Sequence, residues 1–337
     1  MNRRNSNLQG DFREIPVIDL NPLWESSVTG LEQLAHQIRV AYTTVGFAYI
    51  VNHRVPQTLI DGIFSESAKF HATALSEKMK IEVNEHHRGF IPINTSTART
   101  SSIAKVTKPN QSESFMMMHE LPIDDRDVVS GAPLAGPNQW PDGLPEFRLA
   151  VRAYNEALVG LARMLVKAVS VALGAAPDEL DPFFKRPTTF LRLLYYPPQP
   201  PHSPDDLFGS APHSDYGFIT ILLQDNVGGL QVQNTAGHWI DAPLLPGAFV
   251  MNAGDILHRW SNGLFISTPH RVINRSGQAR FSNPFFFDPD MHAKIVPLKS
   301  CVDAENPVQF NPLIYGDFLM DKLTANHDQH EARKKEG

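Results

Sequence analysis

The sequence predicts a mixed α+β protein, mainly β with helices, and three observations carry that prediction. Beyond Pro187 the chain breaks into short β-rich segments separated by Gly, Asn and Pro, the texture of an all-β sandwich or barrel. Ahead of that change the longest helical pattern runs from Leu144 to Leu173 and reads as a scaffold on which a sheet packs. The length of 337 residues, 42% of them hydrophobic, allows a sizeable core in one large domain or two ordinary ones. The 27 prolines, about 8% of the chain against a usual ~5%, are spread over short connections, and no linker, repeat or low-complexity block divides the chain.

After a polar tail, Ile15 to Leu20 predicts a short strand. Thr29 and Glu32 form a capping box opening a helix with Leu31, Leu34, Ala35, Ile38 and Ala41 on its apolar stripe, and Gly46 ends it. Phe47 to Val51 follows as a buried strand, and a second helix runs from Pro56 to about Leu75. From Arg88 to Gln111 the density of Ser, Thr, Asn and Pro predicts a long loop, which at this length is more often functional than decorative. On the scaffold helix Leu158, Leu161, Leu165, Ala168 and Ala172 share one stripe, with Gly174 as its stop. The β segments are Phe190 to Tyr196, Phe218 to Gln224, Leu230 to Gln233, Ala248 to Asn252, Arg271 to Asn274 and Arg280 to Phe287. The last part offers one helix near Tyr315 to Thr324 and a charged tail expected to fray.

Composition narrows the chemistry. Thirty Lys and Arg face 36 Asp and Glu, a net charge of −6 with histidines neutral, and no Lys/Arg stripe stands out. Phosphate binding needs a concentrated positive footprint, so nucleic acid is not expected as a partner. One cysteine, Cys301, against 14 histidines excludes a disulfide framework and every Cys-rich zinc or iron–sulfur site; any metal must be held by nitrogen and oxygen. The first ten residues lack an apolar signal core, and no run approaches the roughly 18 apolar residues of a membrane span. The expectation is a cytoplasmic protein with a small-molecule partner, no membrane contact, and a monomeric state by default.

His213-Ser214-Asp215 is the first candidate site. On a strand, positions i and i+2 point to one face, so an imidazole and a carboxylate would project together. His270 can return to the same cavity from another strand. Two His and one carboxylate with open positions suit non-haem Fe(II) oxygen chemistry, with zinc as the rival. Alone the pattern is weak, because a His-x-Asp pair recurs by chance. Arg280-Phe281-Ser282 adds weight: it is again an i, i+2 pair, and guanidinium and hydroxyl together make a fork for a carboxylate. A dicarboxylate could bridge iron and Arg280.

Other residues carry competing readings. Arg192 shares a strand face with Tyr196; inside a cavity it would suit an anionic or carbonyl-bearing substrate, and on the surface a salt bridge. Alternation sends Phe286 to the face of Arg280 and Ser282, as substrate contact or core. Phe115 and Met116 to Met118 read as an adaptable pocket wall or a buried core strand. The turns Asn252-Ala253-Gly254-Asp255 and Gly228-Gly229 are explained by backbone geometry rather than phosphate binding. His86, His87, His327 and His330 read as solvated.

The run PHSDYGFITILLQDNVGGLQV, then NAGDILHRWSNGLFISTPHRV, then RFSNPFF resembles the iron and 2-oxoglutarate-dependent oxygenases of the isopenicillin N synthase-like group. The N-terminal IPVIDL and GFAYIVNH look like the same family's N-terminal region, so the resemblance covers about residues 14 to 322. It implies a double-stranded β-helix, or jelly roll, over 186–295. An N-terminal dioxygenase region over 11–135 would pack on this core, with a scaffold helix at 144–174 and a C-terminal segment at 296–337. It also implies that Fe(II) is held by His213, Asp215 and His270, and that Arg280 and Ser282, assisted by Tyr196, grip the distal carboxylate of 2-oxoglutarate. Many plant members carry Asn where this chain has Leu194. The distal ligand falls in STPHRV, which leaves His258 a structural or pocket-edge residue. Arg88-Gly89-Phe90 resembles the segment near the active-site mouth, adding Phe90 to Arg192, Phe286 and Met116 as candidate substrate contacts.

The implied reaction uses O2 and 2-oxoglutarate to hydroxylate, or otherwise oxidise, an unactivated C–H bond of a small organic molecule, with release of succinate and CO2. A 2-oxoglutarate-independent Fe(II) oxidase that closes rings is the first alternative. A non-catalytic small-molecule sensor on the same fold is the second. The substrate, whether amino-acid derivative, nucleobase, terpenoid or alkaloid intermediate, stays open, as does the choice among hydroxylation, desaturation, cyclisation and demethylation.

Overall fold

The structure is a computed structural model that describes residues 11–25, 27–97, 103 and 106–326; His327, His330 and the charged tail lie outside the described residues. In chain order the N-terminal part gives β1 (Val17–Asp19), α1 (Asn21–Trp24), α2 (Val28–Thr44), β2 (Phe47–Val51), α3 (Gln57–Ala72), α4 (Leu75–Lys78), β3 (Gly89–Ile91) and β4 (Glu113–Met118). Then come α5 (Arg126–Val129), α6 (Pro145–Ala172), β5 (Thr188–Tyr196), β6 (Ser210–His213), β7 (Ile219–Gln224), β8 (Leu230–Gln233) and β9 (Trp239–Asp241). The chain closes with β10 (Ala248–Ala253), α7 (Asp255–Trp260), β11 (His270–Val272), β12 (Arg280–Asp288), β13 (Lys294–Ile295), β14 (Leu313–Ile314) and α8 (Tyr315–Asn326).

A large sheet runs in the order β1-β2-β10-β7-β12-β5-β4-β3 and faces a smaller one, β6-β11-β8-β9. From β5 onward the chain crosses repeatedly between them. β5, β7, β10 and β12 join the large sheet while β6, β8, β9 and β11 join the small one, all with antiparallel neighbours. That is the double-stranded β-helix. The N-terminal strands extend the large sheet at both edges: β2 pairs with β10 and β1 with β2, while β4 pairs with β5 and β3 with β4. No helix among the described residues is long and apolar enough to cross a membrane.

The large sheet separates two cores because its side chains alternate with period 2. Leu191 and Leu193 of β5, Ile219 and Ile221 of β7, Phe249 and Met251 of β10, and Phe285 and Phe287 of β12 face the helices. There they meet Leu158, Leu161 and Leu165 of α6. The intervening residues Leu194, Tyr196, Leu222 and Val250 face the small sheet, where Leu230, Val232 and Val272 meet them. Leu165 is fully buried. Leu165→Ala should therefore lower unfolding stability by about 2–5 kcal/mol in a denaturant titration, since the lost methyl groups leave a cavity that packed neighbours refill only partly.

Several boundaries differ from the sequence expectation for identifiable reasons. The cap of α2 is Ser27, whose extended backbone lets its Oγ accept from the Gly30 amide at 2.9 Å; Thr29 already lies in the first turn. Gly46 does end α2: at φ +74° its amide donates to the Ala41 carbonyl, and a Cβ there would collide with Thr268 and the Ile266 carbonyl. The segment expected as one long loop contains β3, and α3 stops at Ala72 before a separate turn, α4. The strand expected at His213-Ser214-Asp215 instead ends at His213 as β6, and the three-residue β9 went unpredicted because it is short.

Candidate metal centre and cavity

The two sheets each contribute part of one site. His213 ends β6 and His270 begins β11, and the two are direct cross-strand partners on the small sheet, with ring centres 4.3 Å apart. Each Nδ1 donates to a backbone carbonyl two residues upstream, His213 to Ala211 at 2.7 Å and His270 to Thr268 at 3.2 Å. A carbonyl can only accept, so each Nδ1 carries a proton, which leaves Nε2 as the ring atom available to a metal.

Asp215 is not on the strand face that an i, i+2 spacing implied, because β6 stops at His213. It sits in the following bend, held there by α7: the Asp255 amide donates to the Asp215 carbonyl at 2.8 Å and the Ile256 amide to the Gly217 carbonyl at 3.0 Å. Gly254 precedes α7 because a Cβ at that position would run into the Gly217 carbonyl. The large sheet then aims the carboxylate. Oδ2 accepts from Thr220 Oγ1 and from Asn252 Nδ2 at 2.7 Å, and Thr220 and Asn252 are themselves cross-strand partners on β7 and β10.

Oδ1 is left facing both imidazoles, 3.8 Å from His213 Nε2 and 3.7 Å from His270 Nε2. The three ligand atoms lie within 4.8 Å of one another. Burial pushes the His213 imidazolium down, and the neighbouring His270 adds to this, giving a pKa of about 4, so the ring is neutral. Burial pushes the Asp215 carboxyl up, but His270, His213 and the two side-chain donors outweigh it and hold it below its ordinary value. Two imidazole nitrogens and one carboxylate oxygen converging on one point fit a divalent first-row metal. Neither Thr220 nor Asn252 was singled out as an orienting residue from sequence, although a polar Asn at an inward position of the apolar strand Ala248–Ala253 was a readable signal. Asn252→Ala should weaken metal affinity by about 10–100-fold while leaving the circular dichroism spectrum unchanged.

Arg280 and Ser282 share the inward face of β12, and Arg280 is fully buried. Its Nη1 donates to Ser282 Oγ at 3.1 Å, Nη2 to Gln224 Oε1 at 3.2 Å and Nε to the Gly228 carbonyl at 2.7 Å. The Tyr196 ring lies opposite on β5, its centre 4.7 Å from the Arg280 Cζ. No carboxylate of the described residues comes within ion-pair distance of Arg280. Two of its five N–H donors remain, and they fit a bound anion. Leu194, where relatives of the resembled group carry Asn, pairs with Ser282 and is buried.

A cavity of about 140 Å³ opens beside His213 and Asp215. Arg192, Met116 and Phe286 line it, together with Phe190. The register explains their meeting: Met116 pairs with Arg192 across β4 and β5, and Phe190 with Phe286 across β5 and β12. Phe90 was expected here and is elsewhere. It pairs with Phe115, one step out of phase with Met116, so it faces the helices, packing on Phe70 with Lys78 over its ring. His87, expected in solvent, is buried and lines the cavity, because the turn at 84–88 places it at φ +62° with its ring edge toward Phe190. His258 is neither in the ligand cluster nor on the cavity wall, and its Nδ1 donates to the Phe265 carbonyl.

The sequence reading also missed the C-terminal wall. Leu319 and Leu323 of α8 face the cavity, and so does Asp288 at the end of β12. Asp288 accepts from the Phe218 amide at 2.6 Å and from the Tyr315 hydroxyl at 2.7 Å, and burial pushes its carboxyl up to about 7.

Comparison with known proteins gives concordant results. Residues 187–289 match the 2OG-Fe(II) oxygenase superfamily, and 15–143 match the non-haem dioxygenase in morphine synthesis N-terminal family. The 2-oxoglutarate-Fe(II) type oxidoreductase hxnY of Emericella nidulans is 32% identical over 330 residues, 95% of this chain and 93% of that one. Homoarginine-6-hydroxylase 2-ODD-C23 of Glycine max is 32% identical over 341 residues, 94% of this chain and 98% of that one. Among solved structures, a full-length Neurospora crassa protein in complex with alpha-KG and thymine superposes with a TM-score of 0.81 at 27% identity, covering 94% of this chain and 99% of that one. JOX2 in complex with 2OG, Fe and JA gives a TM-score of 0.76 at 26% identity, covering 96% and 95%.

Proposed function

We propose that this chain, which belongs to the 2OG-Fe(II) oxygenase superfamily and is an Fe(II)- and 2-oxoglutarate-dependent dioxygenase, hydroxylates an unactivated C–H bond of a small organic molecule. The observation that supports the site assignment is the convergence of two histidine nitrogens and one carboxylate oxygen beside a cavity with an apolar wall. His213, Asp215 and His270 would hold Fe(II). Arg280 and Ser282, with Tyr196 against the guanidinium, would grip the distal carboxylate of 2-oxoglutarate. Bound Fe(II) would supply the redox chemistry that couples O2 to decarboxylation of the cosubstrate, giving succinate and CO2.

The protein's own part is orientation and exclusion. The Ala211 and Thr268 carbonyls fix both tautomers, and Thr220 and Asn252 fix the carboxylate, so the ligands need no reorganisation when metal arrives. Arg280 fixes one end of a dicarboxylate and so determines where its other end falls. Phe190, Phe286, Met116, Leu319 and Leu323 give the cavity beside the metal ligands an apolar wall, which limits water on that side of the reacting centre. A small-molecule substrate agrees with the relatives, whose names and complexes specify homoarginine, thymine and JA.

The test needs no knowledge of the substrate. Fe(II)-loaded protein supplied with 2-oxoglutarate and O2 should form one succinate per O2 consumed, even in slow turnover without substrate. O2 consumption independent of 2-oxoglutarate would point instead to the oxidase alternative.

A further inference from the structure

Two cationic side chains reach the catalytic region with no carboxylate to balance them. Arg280 is one. Arg192 is the other: its Nε donates to Ser114 Oγ at 2.8 Å, and among the described residues its two Nη groups have neither a hydrogen-bond acceptor nor an ion-pair partner. Arg192 is half-buried in the cavity wall, and the packing around it pushes its guanidinium below its ordinary value.

A comparison within the chain shows that this arrangement is not a structural clasp. Arg88, fully buried where Arg192 is half-buried, likewise has no carboxylate within ion-pair distance, but its Nη groups donate to the carbonyls of His86, Leu134 and His119. Arg88 ties three backbone segments together. Arg192 ties only one hydroxyl, through Nε, and lines the cavity. The two carboxylates on the cavity wall are committed elsewhere, Asp215 toward the histidines and Asp288 to Phe218 and Tyr315.

We infer that the primary substrate carries a carboxylate that pairs with Arg192 and an apolar body that packs on Phe190, Phe286 and Met116. Planar N–H pairs match the two oxygens of a carboxylate, and a partly shielded guanidinium gains more from a full negative charge than from a neutral carbonyl. Phe190 and Phe286 present their rings edge to face at 6.3 Å on the same wall, beside Met116, so the flanking surface suits an aromatic or aliphatic body. This inference rests on the oxygenase reading above, because that reading gives Arg280 to the cosubstrate.

Benzoate and its neutral isostere benzamide are suitable probes. Protein loaded with Mn(II) and 2-oxoglutarate is titrated with each, and binding is read from Mn(II)-induced broadening of the probe's ring protons. Benzoate should bind about tenfold or more tightly than benzamide, Arg192→Gln should erase the difference, and Arg192→Lys, which keeps the charge, should retain part of it. Calorimetry should show 2-oxoglutarate affinity within about twofold of wild type in Arg192→Gln. Equal binding of the two probes, binding of neither, or a preference that survives Arg192→Gln overturns the inference. So does a marked loss of 2-oxoglutarate affinity in Arg192→Gln, which would give that guanidinium to the cosubstrate. A wild-type protein that binds no 2-oxoglutarate at all overturns the oxygenase reading itself, and the assignment built on it.

Discussion

Asp215→Ala is expected to abolish metal binding and turnover while leaving the fold intact. Asp215 supplies the only anionic ligand atom of the three, so its loss removes both a donor and the charge that offsets a divalent cation. Trimming a residue that merely orients a ligand costs about 10–100-fold in metal affinity, and losing the ligand should cost more than that. The remaining site is not merely weakened. Without the carboxylate, Asn252 Nδ2 and Thr220 Oγ1 lose their shared acceptor in a buried place, and two imidazoles face each other with no anionic atom to draw a cation between them. The bend itself should persist, because it is fixed by backbone bonds from Asp255 and Ile256 rather than by the side chain. Fe(II) or Mn(II) titration by calorimetry, with circular dichroism alongside, separates the two effects. Metal affinity near wild type in Asp215→Ala would refute the ligand assignment.

Arg280→Gln should leave metal binding near wild type and raise the dissociation constant for 2-oxoglutarate. Hydrogen bonds to a charged partner are worth about 1.5–3 kcal/mol each, which corresponds to roughly 10- to 150-fold in affinity. A thermal-shift measurement reads this without turnover. Wild-type protein at about 100 times its dissociation constant gains roughly 2.7 kcal/mol from the ligand, and the variant at the same concentration should gain far less. The ligand-free comparison is informative too. Arg280 is a buried charge whose protein partners, Gly228, Ser282 and Gln224, are all neutral, so its removal costs hydrogen bonds but relieves an uncompensated charge. The stability of ligand-free Arg280→Gln should thus fall much less than the loss of three hydrogen bonds alone would require. Equal thermal shifts in variant and wild type would show that the cosubstrate carboxylate binds elsewhere.

Much of this architecture was legible in the sequence, and the exceptions share a physical cause. Strands with long apolar runs, such as Ile219–Gln224 and Arg280–Asp288, announce themselves because hydrophobic periodicity is a local property. His213 and His270, which converge with Asp215, and Arg280 and Ser282, which touch each other, could be picked out as groups because residue type and order mark them. What failed depended on pairing between distant strands. Phe90 was misplaced because its face is set by register against Phe115, not by its own neighbours in sequence. Thr220 and Asn252 were missed for the same reason: each is an ordinary residue until β7 and β10 align and Asp215 arrives from a third element. His87 reads as solvated among polar neighbours, and only a positive φ turns it inward. The wall from α8 lies far from the motifs in sequence and has no signature of its own.

The two-faced large sheet has a consequence for how such a protein can change. Along β5 and β12, residues that contact the cavity alternate one by one with residues that anchor the helices, so Arg192 sits between Leu191 and Leu193, and Phe286 between Phe285 and Phe287. Selection for a new substrate and selection for a sound scaffold therefore act on different letters of the same short words. A library that randomises Met116, Arg192 and Phe286 while sparing their immediate neighbours should explore new specificities with little loss of folded protein. Descendants of this chain can thus diverge widely in diet while keeping the same skeleton.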